Sequence, residues 1–423
     1  PRQNQKMKIR PLFQNRRTHL GAVLTTAAAF LLLGSVNPAF AKKGGGGKPG
    51  GEDPPPDPDP VEVPFRYQIT WHEAEFSNDI IDLRDVASDG TVVGSVKPGG
   101  VYGSNIAVAR FPDGPFSDGF DVNLEDLLIE ATEVPADQVV DAWRVTYAFR
   151  ICDNLLLGVD LYDETGRMYC GAVKLLPDGK LDWFALLEDL GGNDAFLLDA
   201  TEGGEFLIAT GDFANGPTGG ISFGGSTTLS VWDPAAGTTL TLPGPVEGGQ
   251  AGWFYASYIS DNGTAFLGGS LYDYVNGNFV ETPTSDTTLT PVDLGDDGTA
   301  IAAIAGAQIK RNRWEPSSFA RWIPGPGQWE TIISASSLQG KAYINGAGEI
   351  AGSTGSGIFV FHDAYGLQSV NDMILPSQVS QWNSGASFLV YGISDPIQDA
   401  PYSGVILGRE SGGSYFTLTP VVE

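Results

Sequence analysis

The chain has few of the residues that carry nucleophilic or metal chemistry. It contains three histidines and two cysteines, and only His72 and His362 lie beyond residue 41. A Ser-His-Asp site needs a histidine aligned with its serine, and no such arrangement is evident in the sequence. Gly220-Ile-Ser222-Phe-Gly224 matches a nucleophile elbow, but that motif has meaning only between a strand and a helix, and a chance match is expected among 56 glycines. No pair of His or Cys residues has zinc-ligand spacing.

Basic residues are also scarce, most completely in the middle of the chain. No lysine or arginine occurs from Leu181 to Ile309, where 17 acidic residues lie, and the net charge of the whole chain is −27. Such a surface repels nucleic acid and anionic lipid, so neither is expected as a partner. Two interpretations remain: a polyanionic face that gathers divalent cations or basic partners, and an adaptation to salty surroundings. The second is preferred because the acids are spread over turns.

Long apolar runs are absent beyond residue 41, so we expect no membrane insertion. The run from Leu20 to Gly34 is too short to span a bilayer comfortably; it follows basic residues and precedes Ala39-Phe40-Ala41. This pattern predicts a signal peptide over residues 1–41, with translation starting at Met7. We expect a secreted or periplasmic bacterial protein, exported by the Sec route or, as Arg16-Arg17 permits, by the twin-arginine route.

Residues 42–64 have the composition of a linker. A glycine-rich part is followed by Glu-Asp-Pro-Pro-Pro-Asp-Pro-Asp-Pro, so the segment combines a flexible half with an extended, semi-rigid half. It cannot bury apolar surface, and we expect it to be disordered. It either holds the folded domain, residues 65–423, away from a surface or is a passive tail.

The two cysteines, Cys152 and Cys170, lie in an exported chain, where a disulfide is chemically permitted. A three-strand meander is predicted over Arg144–Ile151, Leu155–Tyr162 and Arg167–Leu176. It places Ala148, Val159 and Cys170 in one row, with Cys152 about four residues away from that row, too far for a disulfide. We therefore expect two free thiols.

The most informative pattern is a phrase made of a strand, a tight Asp/Asn/Gly turn and a second strand. Clear copies are Val86–Gly94, Ile259–Gly268 and Ile344–Gly352, and Leu294–Ala303 is a weaker one. Seven such turns lie near residues 88, 153, 203, 262, 297, 347 and 395, spaced 35 to 65 residues apart. Repetition at this period is typical of propellers and solenoids.

The repeats predict an all-β fold, a β-propeller of seven four-stranded blades, with six blades as the alternative. Arg66 to Trp71 is expected to pair with the last unit and close the ring, which removes exposed strand edges. The best helix candidate is Asn123 to Ala131, and it has a competing interpretation as part of the repeat. We expect a monomer.

Extending the phrase outward shows a longer unit. Leu187–Phe196 leads into Leu198–Gly211 and then into the strand Thr228–Trp232, while Val370–Leu375 and Tyr415–Pro420 form an ending. This order resembles the HAF-repeat family of bacterial extracellular proteins over most of residues 65–420. The second unit departs from the motif, because Cys152-Asp-Asn154 lacks the turn glycine. The resemblance implies a β-propeller and no defined activity or set of functional residues.

One segment stands apart from the repeats. Lys310 to Trp329 is rich in arginine and tryptophan in an otherwise acidic chain. Arginine beside exposed tryptophan suits sugar stacking, cation–π pairing or the capture of an acidic group. The candidate ligand-binding residues are Arg311, Arg313, Trp314, Arg321 and Trp329. The competing interpretation is an insertion between strands with Trp322 in the blade core.

Calcium is the best-supported metal. Asp293, Asp296 and Asp297 precede Gly298 in an acidic loop that could supply several oxygens to a hard cation. A hairpin turn whose aspartates bond their own backbone explains the same residues and is preferred. Ca2+ is thus a secondary possibility, and no other cofactor is expected.

The leading hypothesis for function is a secreted, non-enzymatic propeller that binds an extracellular or cell-surface partner, a polysaccharide or a protein. The first alternative is an extracellular glycan hydrolase or lyase with carboxylates at the propeller channel, although sequence does not show which acids face inward. The second alternative is a structural component of an envelope or matrix.

Overall fold

The structure is a computed structural model. It describes residues 65–72, 80–98, 105–112, 120–130, 144–162, 167–187, 194–215, 221–242, 257–267, 270–280, 289–306, 308–310, 313–314, 317–323, 328–335, 337–382, 386–397, 400–411 and 413–422. The predicted signal peptide and linker lie outside these residues.

The chain forms seven four-stranded antiparallel sheets, arranged as a seven-bladed β-propeller, as predicted. In each blade the first strand named is the innermost. Blade 1 consists of β2 (Ile80–Val86), β3 (Val92–Lys97), β4 (Ile106–Phe111) and β5 (Phe120–Asn123). Blade 2 consists of β6 (Arg144–Ile151), β7 (Leu156–Tyr162), β8 (Met168–Leu175) and β9 (Leu181–Leu186). Blade 3 consists of β10 (Asp194–Ala200), β11 (Phe206–Asn215), β12 (Ile221–Asp233) and β13 (Thr238–Thr241).

Blades 4 to 7 follow the same order of strands. Blade 4 consists of β14 (Ser257–Ile259), β15 (Thr264–Leu267), β16 (Ser270–Asp273) and β17 (Asn278–Val280), and blade 5 of β18 (Leu289–Leu294), β19 (Ala300–Ile304), β22 (Ser317–Ile323) and β23 (Gln328–Ala335). Blade 6 consists of β24 (Leu338–Ile344), β25 (Ile350–Thr354), β26 (Gly357–His362) and β27 (Gly366–Ser369). Blade 7 consists of β28 (Phe388–Pro396), β29 (Gly404–Glu410), β30 (Tyr415–Val422) and β1 (Phe65–His72). A small hairpin, β20 (Gln308–Lys310) and β21 (Arg313–Trp314), is inserted in blade 5.

Ring closure occurs in blade 7. β1 pairs with β30 in an antiparallel register that runs from Phe65 opposite Val422 to His72 opposite Tyr415. The predicted closure is therefore confirmed. Alternate residues of β1, Phe65, Tyr67 and Ile69, are buried, which is the two-residue period of a strand with one face in the core.

Each of the seven turn phrases connects the first and second strands of one blade. In blade 1 the Gly90 amide donates to Ala87 O at 2.9 Å, and the Asp89 carboxyl accepts the Thr91 amide at 2.7 Å. Gly90 has φ 85°, a left-handed conformation that favours glycine. Blade 2, whose phrase lacks the glycine, places Leu155 there with φ 62°. The phrase is thus a turn of fixed geometry even where the preferred residue is missing.

The hydrophobic core is divided among the interfaces between blades. Seven clusters of buried side chains are described, one at each junction, and burial of their apolar surface holds neighbouring sheets together. At the junction of blades 4 and 5, Tyr258, Phe266 and Leu294 pack with Trp322, which is 2% exposed. At the closing junction, Val405 and Leu407 of blade 7 pack against Val92 of blade 1.

One local prediction was wrong. Residues Leu124–Glu130 form a short α-helix, α1, rather than an extended repeat element. The Asn123 side chain caps the helix, because its Oδ1 accepts the backbone amides of Glu125 at 3.0 Å and Asp126 at 3.3 Å. Leu124 and Leu128 bury the inner face of α1 against the core of blades 1 and 2. The cap and the apolar spacing together stabilise a helix at this position, although the sequence also resembles the repeat element.

The meander of blade 2 is present, with a register one residue away from the prediction. Ala148 pairs with Val159 as expected, but Val159 pairs with Gly171, and Cys170 lies opposite Asp160. The difference arises because Tyr162 pairs with Met168, which sets the loop length between these strands. Both cysteines are buried free thiols: Cys152 Sγ donates to Thr201 O at 3.2 Å, and Cys170 Sγ to Asp160 Oδ1 at 3.8 Å.

None of the helices in the described residues has the length and apolar character needed to cross a membrane.

Candidate functional site

The central channel is lined by equivalent residues on the innermost strands. We call six of them the inner ring: Asp85, Arg150, Asp199, Asp293, Tyr343 and Gly392. Five of the six directly follow a shift in strand register, a β-bulge. A bulge inserts one residue and re-aims the next side chain, which explains why these side chains reach the channel.

The inner ring contains one cation among three aspartates. Arg150 Nη2 lies 2.9 Å from Asp199 Oδ1, and Arg150 Nη1 lies 3.8 Å from Asp85 Oδ2. Each aspartate also accepts a backbone amide from the following blade: Asp85 from Ile151 at 3.2 Å, Asp199 from Ile259 at 3.0 Å and Asp293 from Ile344 at 2.8 Å. These bonds join neighbouring innermost strands, so the ring is a structural element as well as a channel lining.

Burial changes the acidity of the inner ring. It raises the pKa of Asp85 to about 6, because burial disfavours the charge more than the nearby Arg150 favours it. The pKa of Asp293 rises to about 7 through burial and through the neighbouring Asp199. Burial alone would lower the pKa of Arg150, but Asp199 and Asp85 raise it, so the guanidinium stays charged.

A second set of acids lies at one end of the channel, on the turns that follow the innermost strands. The same position of the turn phrase holds an acid in five of the seven blades. We call this set the acidic mouth: Asp153, Glu202, Asp261, Asp296 and Asp395. Ser88 and Gly346 occupy the position in blades 1 and 6.

Hydrogen bonds pass around the acidic mouth from turn to turn. Asp153 Oδ1 accepts the Ser88 amide at 2.7 Å, and Glu202 Oε2 accepts the Asp153 amide at 2.7 Å. Asp261 and Asp395 accept amides of the preceding turns in the same way, at 2.9 and 2.6 Å. The carboxyl groups are therefore held in place by the backbone of adjacent blades, and their geometry is set before any ligand arrives.

Burial and the crowding of acidic groups raise the pKa of carboxyl groups at the mouth. Carboxyl oxygens of Asp153, Glu202 and Asp395 all lie within 4.8 Å of one another. Burial, followed by the charges of Asp153 and Asp395, raises the pKa of Glu202 to about 9. Burial and Asp395 raise the pKa of Asp296 to about 7. Glu202 is accordingly protonated at neutral pH.

The inner ring, together with Glu202, Asp296 and Asp395 of the mouth, lines a cavity of about 70 Å³. This is room for a handful of water molecules, or for the charged head of an amine or guanidinium side chain. Because the carboxyl oxygens converge, the site suits a positively charged group. Asp153, Glu202 and Asp395 could also contribute to a metal site, although Ca2+ takes six to eight oxygens and Glu202 would have to lose its proton first.

The three residues of the predicted calcium loop do not converge on one point. Asp293 belongs to the inner ring and Asp296 to the mouth. Asp297 is exposed, and its carboxyl accepts the Thr299 amide at 2.7 Å and the Thr299 hydroxyl at 2.9 Å. The hairpin interpretation therefore describes Asp297, whereas the other two residues face the channel.

The arginine and tryptophan candidates divide into two groups. Arg311 lies outside the described residues, and Arg313 and Trp314 form β21, for which only the backbone is described. Arg321 forms ion pairs of 2.7 Å with Glu330 and with Asp363 of blade 6. Trp329 packs against Trp322 with ring centroids 5.6 Å apart. Both described side chains thus have partners within the propeller, and ligand binding by this set remains a prediction.

The described histidines, His72 and His362, have hydrogen-bond partners within their own blades. His72 Nε2 is 3.3 Å from Thr417 Oγ1, and burial lowers its pKa to about 4. His362 donates from Nε2 to Ala347 O at 3.0 Å and stacks on Tyr402 with centroids 4.6 Å apart. Ser222 lies within β12, opposite Ala214, rather than between a strand and a helix.

The sequence contained a signal for the channel that single residues did not show. When the seven phrases are aligned on their turns, the residue two positions before the turn is Asp85, Arg150, Asp199, Tyr258, Asp293, Tyr343 or Gly392. Charged or polar residues at the same position of several otherwise apolar strands indicate that these positions line one channel.

No protein-family model matches this sequence, and neither does any curated protein. Among solved structures, the extracellular domain of the putative one-component system BT4673 from B. thetaiotaomicron aligns with a TM-score of 0.39 and 13% identity, over 84% of this chain and 40% of that one. TolB from Acinetobacter baumannii aligns with a TM-score of 0.35 and 11% identity, over 82% of this chain and 65% of that one. The extracellular domain of the putative hybrid two component system BT3049 from B. thetaiotaomicron aligns with a TM-score of 0.38 and 11% identity, over 83% of this chain and 42% of that one.

The chain thus spans less than two thirds of the length of each of these proteins. At such low identity the likeness concerns the fold alone. The seven sheets themselves establish the propeller. Membership of the HAF-repeat family remains a prediction.

Proposed function

We propose that this chain is a secreted, ring-shaped binding protein of the HAF-repeat type, and that its acidic mouth receives a lysine or arginine side chain of an extracellular protein partner. The signal-peptide pattern in residues 1–41 supports export. The resemblance in the repeats supports the family. The geometry of the mouth supports the chemistry of the partner.

One observation carries the proposal: the mouth collects carboxyl groups without a cation. In the part of the chain that the structure describes, no lysine or arginine forms an ion pair with Asp153, Glu202, Asp261, Asp296 or Asp395. Deeper in the same channel, Arg150 is bound by Asp199 at 2.9 Å. The channel therefore already holds a guanidinium between carboxylates of neighbouring blades, and the mouth offers the same chemistry to a partner.

The surroundings of the mouth favour a protein over a free ion. Tyr402 is 44% exposed, and its backbone oxygen lies 3.4 Å from Asn345 Nδ2, beside the blade 6 turn. Its ring stacks on His362 and forms an aromatic surface at the edge of the mouth. Lysine and arginine side chains pack their aliphatic stems on such surfaces while the charged heads enter polar sites. Since the turns are already fixed by hydrogen bonds, little ordering is needed on binding.

A binding experiment with a matched charge control tests the proposal. A fluorescein-labelled peptide of alternating glycine and arginine is titrated with the full chain, and fluorescence anisotropy is read at low and at physiological ionic strength. The double variant D153N/D395N keeps oxygen acceptors for the amides of Ser88 and Gly346 but removes two charges. We expect it to weaken binding at least about tenfold, because it removes charges from the binding position.

The control variant D178N/D273N makes the same change in net charge. Asp178 and Asp273 lie on exposed turns of blades 2 and 4, where they accept hydrogen bonds from Lys180 and Asn276. We expect this variant to bind like the wild type. Equal weakening in both variants would show unspecific attraction and overturn the proposal. Displacement of the peptide by CaCl2, but not by KCl of equal ionic strength, would assign the mouth to a divalent cation instead.

A glycan hydrolase or lyase is the second candidate, and one observation favours it. Glu202 is held protonated beside Asp153 and Asp395, and a carboxylic acid close to other carboxyl groups is the arrangement of glycosidase acid and base pairs. Release of reducing or unsaturated sugar ends from any polysaccharide, abolished by Glu202→Gln but not by D178N/D273N, would establish this function in place of the binding-only one.

A further inference from the structure

A single buried carboxyl group lies where the closing strand meets the rest of the ring. Glu349 precedes β25 in blade 6 and is fully buried. It lies among side chains of three chain segments: β1, the turn between β26 and β27, and the start of β29. Two of these strands, β1 and β29, belong to blade 7, so Glu349 joins blades 6 and 7 at the point of closure.

Four donors converge on Glu349. Its Oε1 lies 3.3 Å from Tyr67 Oη and 2.8 Å from Ser403 Oγ, and it also accepts the hydroxyl of Tyr365. Its Oε2 accepts the Gly404 amide at 3.1 Å. Tyr67 Oη and Ser403 Oγ are also 2.9 Å apart. Three donors thus lie on Oε1 and the Gly404 amide on Oε2, which Ser403 Oγ also approaches to 3.0 Å, so both oxygens of the carboxyl group are hydrogen-bonded.

In the part of the chain that the structure describes, no lysine, arginine or histidine forms an ion pair with Glu349. The titratable groups that face it are Tyr67 from β1 and Tyr365 from the turn before β27, and β29 contributes only the uncharged Ser403 and Gly404. His362 packs on Tyr365 at 5.5 Å between centroids, but its Nε2 donates to Ala347 O. An ionised Glu349 is therefore hydrogen-bonded and lacks a counter-charge.

β1 occupies a slot with backbone partners on both edges. One edge pairs with β30. On the other edge, the Tyr67 amide donates to Met373 O at 2.8 Å and Tyr67 O accepts the Leu375 amide at 3.0 Å. The side-chain amide of Gln378 takes the place of a further strand residue, because it accepts from Ile69 N at 2.7 Å and donates to Ile69 O at 3.0 Å. The Tyr67 side chain connects this slot to Glu349.

We propose that Glu349 latches β1 into blade 7, and that gain or loss of a proton at this carboxyl group sets how readily the strand leaves its slot. When Glu349 is neutral, the hydroxyls of Tyr67, Tyr365 and Ser403 can turn, because each can accept as well as donate. When it is ionised, the burial of an unpaired charge favours any opening that admits water. The closing strand is thus tight in the neutral state and loosened in the ionised state.

The acidity of the group places this transition near neutral pH. Burial raises the pKa of Glu349 to about 7, against the lowering effect of the hydrogen bonds from Tyr365, Ser403 and Gly404. A carboxyl group that is exposed on opening has a pKa near its usual 4.5. The closed state therefore binds the proton more tightly, and the stability of the latch is complete below pH 4.5 and lost as pH rises through 7.

Hydrogen exchange on the full chain tests the latch. Exchange of the backbone amides of Phe65–His72 is followed by mass spectrometry between pH 6 and pH 8 and corrected for intrinsic exchange, with β4 of blade 1 as the internal reference. Linkage predicts that the opening equilibrium of β1 increases by up to about tenfold over this range relative to that of β4. In Glu349→Gln, which cannot ionise, β1 should show no dependence on pH beyond that of β4.

Two further variants make the result specific. Asp160→Asn removes another buried carboxyl, one in blade 2 with no contact to β1, and should keep the wild-type response. Tyr365→Phe removes one donor from Glu349, which favours its neutral form and should move the rise in opening to higher pH. The proposal is overturned if Glu349→Gln keeps the pH response, if Asp160→Asn loses it, if Tyr365→Phe leaves the midpoint unchanged, or if β1 and β4 open together.

Discussion

Arg150 Nη2 of blade 2 lies 2.9 Å from Asp199 Oδ1 of blade 3, and the same guanidinium reaches Asp85 of blade 1 with a distance of 3.8 Å. One side chain therefore connects three consecutive blades at the channel. It is also the cation that compensates the inner ring of aspartates. Removing it leaves buried carboxyl groups without a partner, which is one of the more costly changes available in a folded protein.

Arg150→Met should destabilise the propeller by about 3–5 kcal/mol. The loss should be larger at pH 8 than at pH 5.5, because Asp85 and Asp293 become protonated at the lower pH and no longer need a counter-charge. Thermal unfolding followed by circular dichroism at both pH values measures the two losses. Lys180→Met removes a cation from an exposed pair with Asp178 and should leave the melting temperature unchanged. Equal losses at the two pH values for Arg150→Met would contradict the prediction.

The stability of the whole domain should fall between pH 6.5 and pH 8.5. Burial raises the pKa of Asp293 to about 7, of Asp160 to about 8 and of Glu202 to about 9, so the folded chain holds protons that the unfolded chain has released. Each retained proton lowers the free energy of unfolding by about 1.4 kcal/mol per pH unit of increase. His72 acts in the opposite direction, but only below pH 6.5, because its pKa is lowered to about 4.

Melting temperatures measured across this pH range at constant ionic strength show whether stability falls or rises with pH. They should decrease steadily with increasing pH, and Asp160→Asn should flatten part of the decrease. A maximum at pH 8 or above would show that the channel acids are ionised in the folded protein at neutral pH.

Gly392 should not tolerate a side chain. A Cβ at this position in blade 7 would lie 2.8 Å from Asp85 Oδ1 of blade 1. Gly392→Ala should therefore destabilise the protein by about 1–3 kcal/mol through overpacking. Gly355→Ala is the matched control, since its Cβ would meet only Ser337 at 3.6 Å, an ordinary contact. Similar melting temperatures for the two variants would show that the channel adjusts freely.

The two thiols should be unreactive in the folded protein. Cys152 is 1% exposed and Cys170 is fully buried, and burial raises the pKa of both thiols. Ellman's reagent at pH 8 should label neither cysteine in the native chain and both after denaturation. Intact mass before reduction should equal the mass expected for two free thiols. Rapid native labelling of Cys152, or a mass lower by two hydrogens, would disprove this prediction.

Much of the fold was accessible from the sequence because the decisive signals are local. Asp89-Gly90 and Asp297-Gly298 mark turns whose geometry is fixed within a few residues, and their repetition indicated one turn per blade. β1 was predicted as the closing strand because its pairing with the last unit removes exposed strand edges. The helix at Leu124–Glu130 was missed because Asn123 serves equally as a helix cap and as the start of a repeat element.

The residues that line the channel were harder to predict from the sequence, because the pairing register of the strands decides which side chains face the channel. Asp293 and Asp296 are separated from Asp297 by very few residues, yet two of them face the channel and the third bonds its own turn. The bulge between Pro291 and Asp293 produces this difference, and a bulge depends on both strands of a pair. Proximity of Asp153, Glu202 and Asp395 depends on the number of blades and on their packing, which no single segment of the sequence contains.

The pairing of β1 with β30 also sets an order of events during synthesis. Among the described strands, Phe65–His72 leave the ribosome first and Tyr415–Val422 leave last, so blade 7 stays incomplete until Val422 has been made. A product that stops before Tyr415 leaves β1 and β29 with unpaired edges, which invite association with other chains. Closure of the ring thereby requires synthesis at least as far as β30, and chains truncated before this strand should be marked by aggregation and rapid proteolysis.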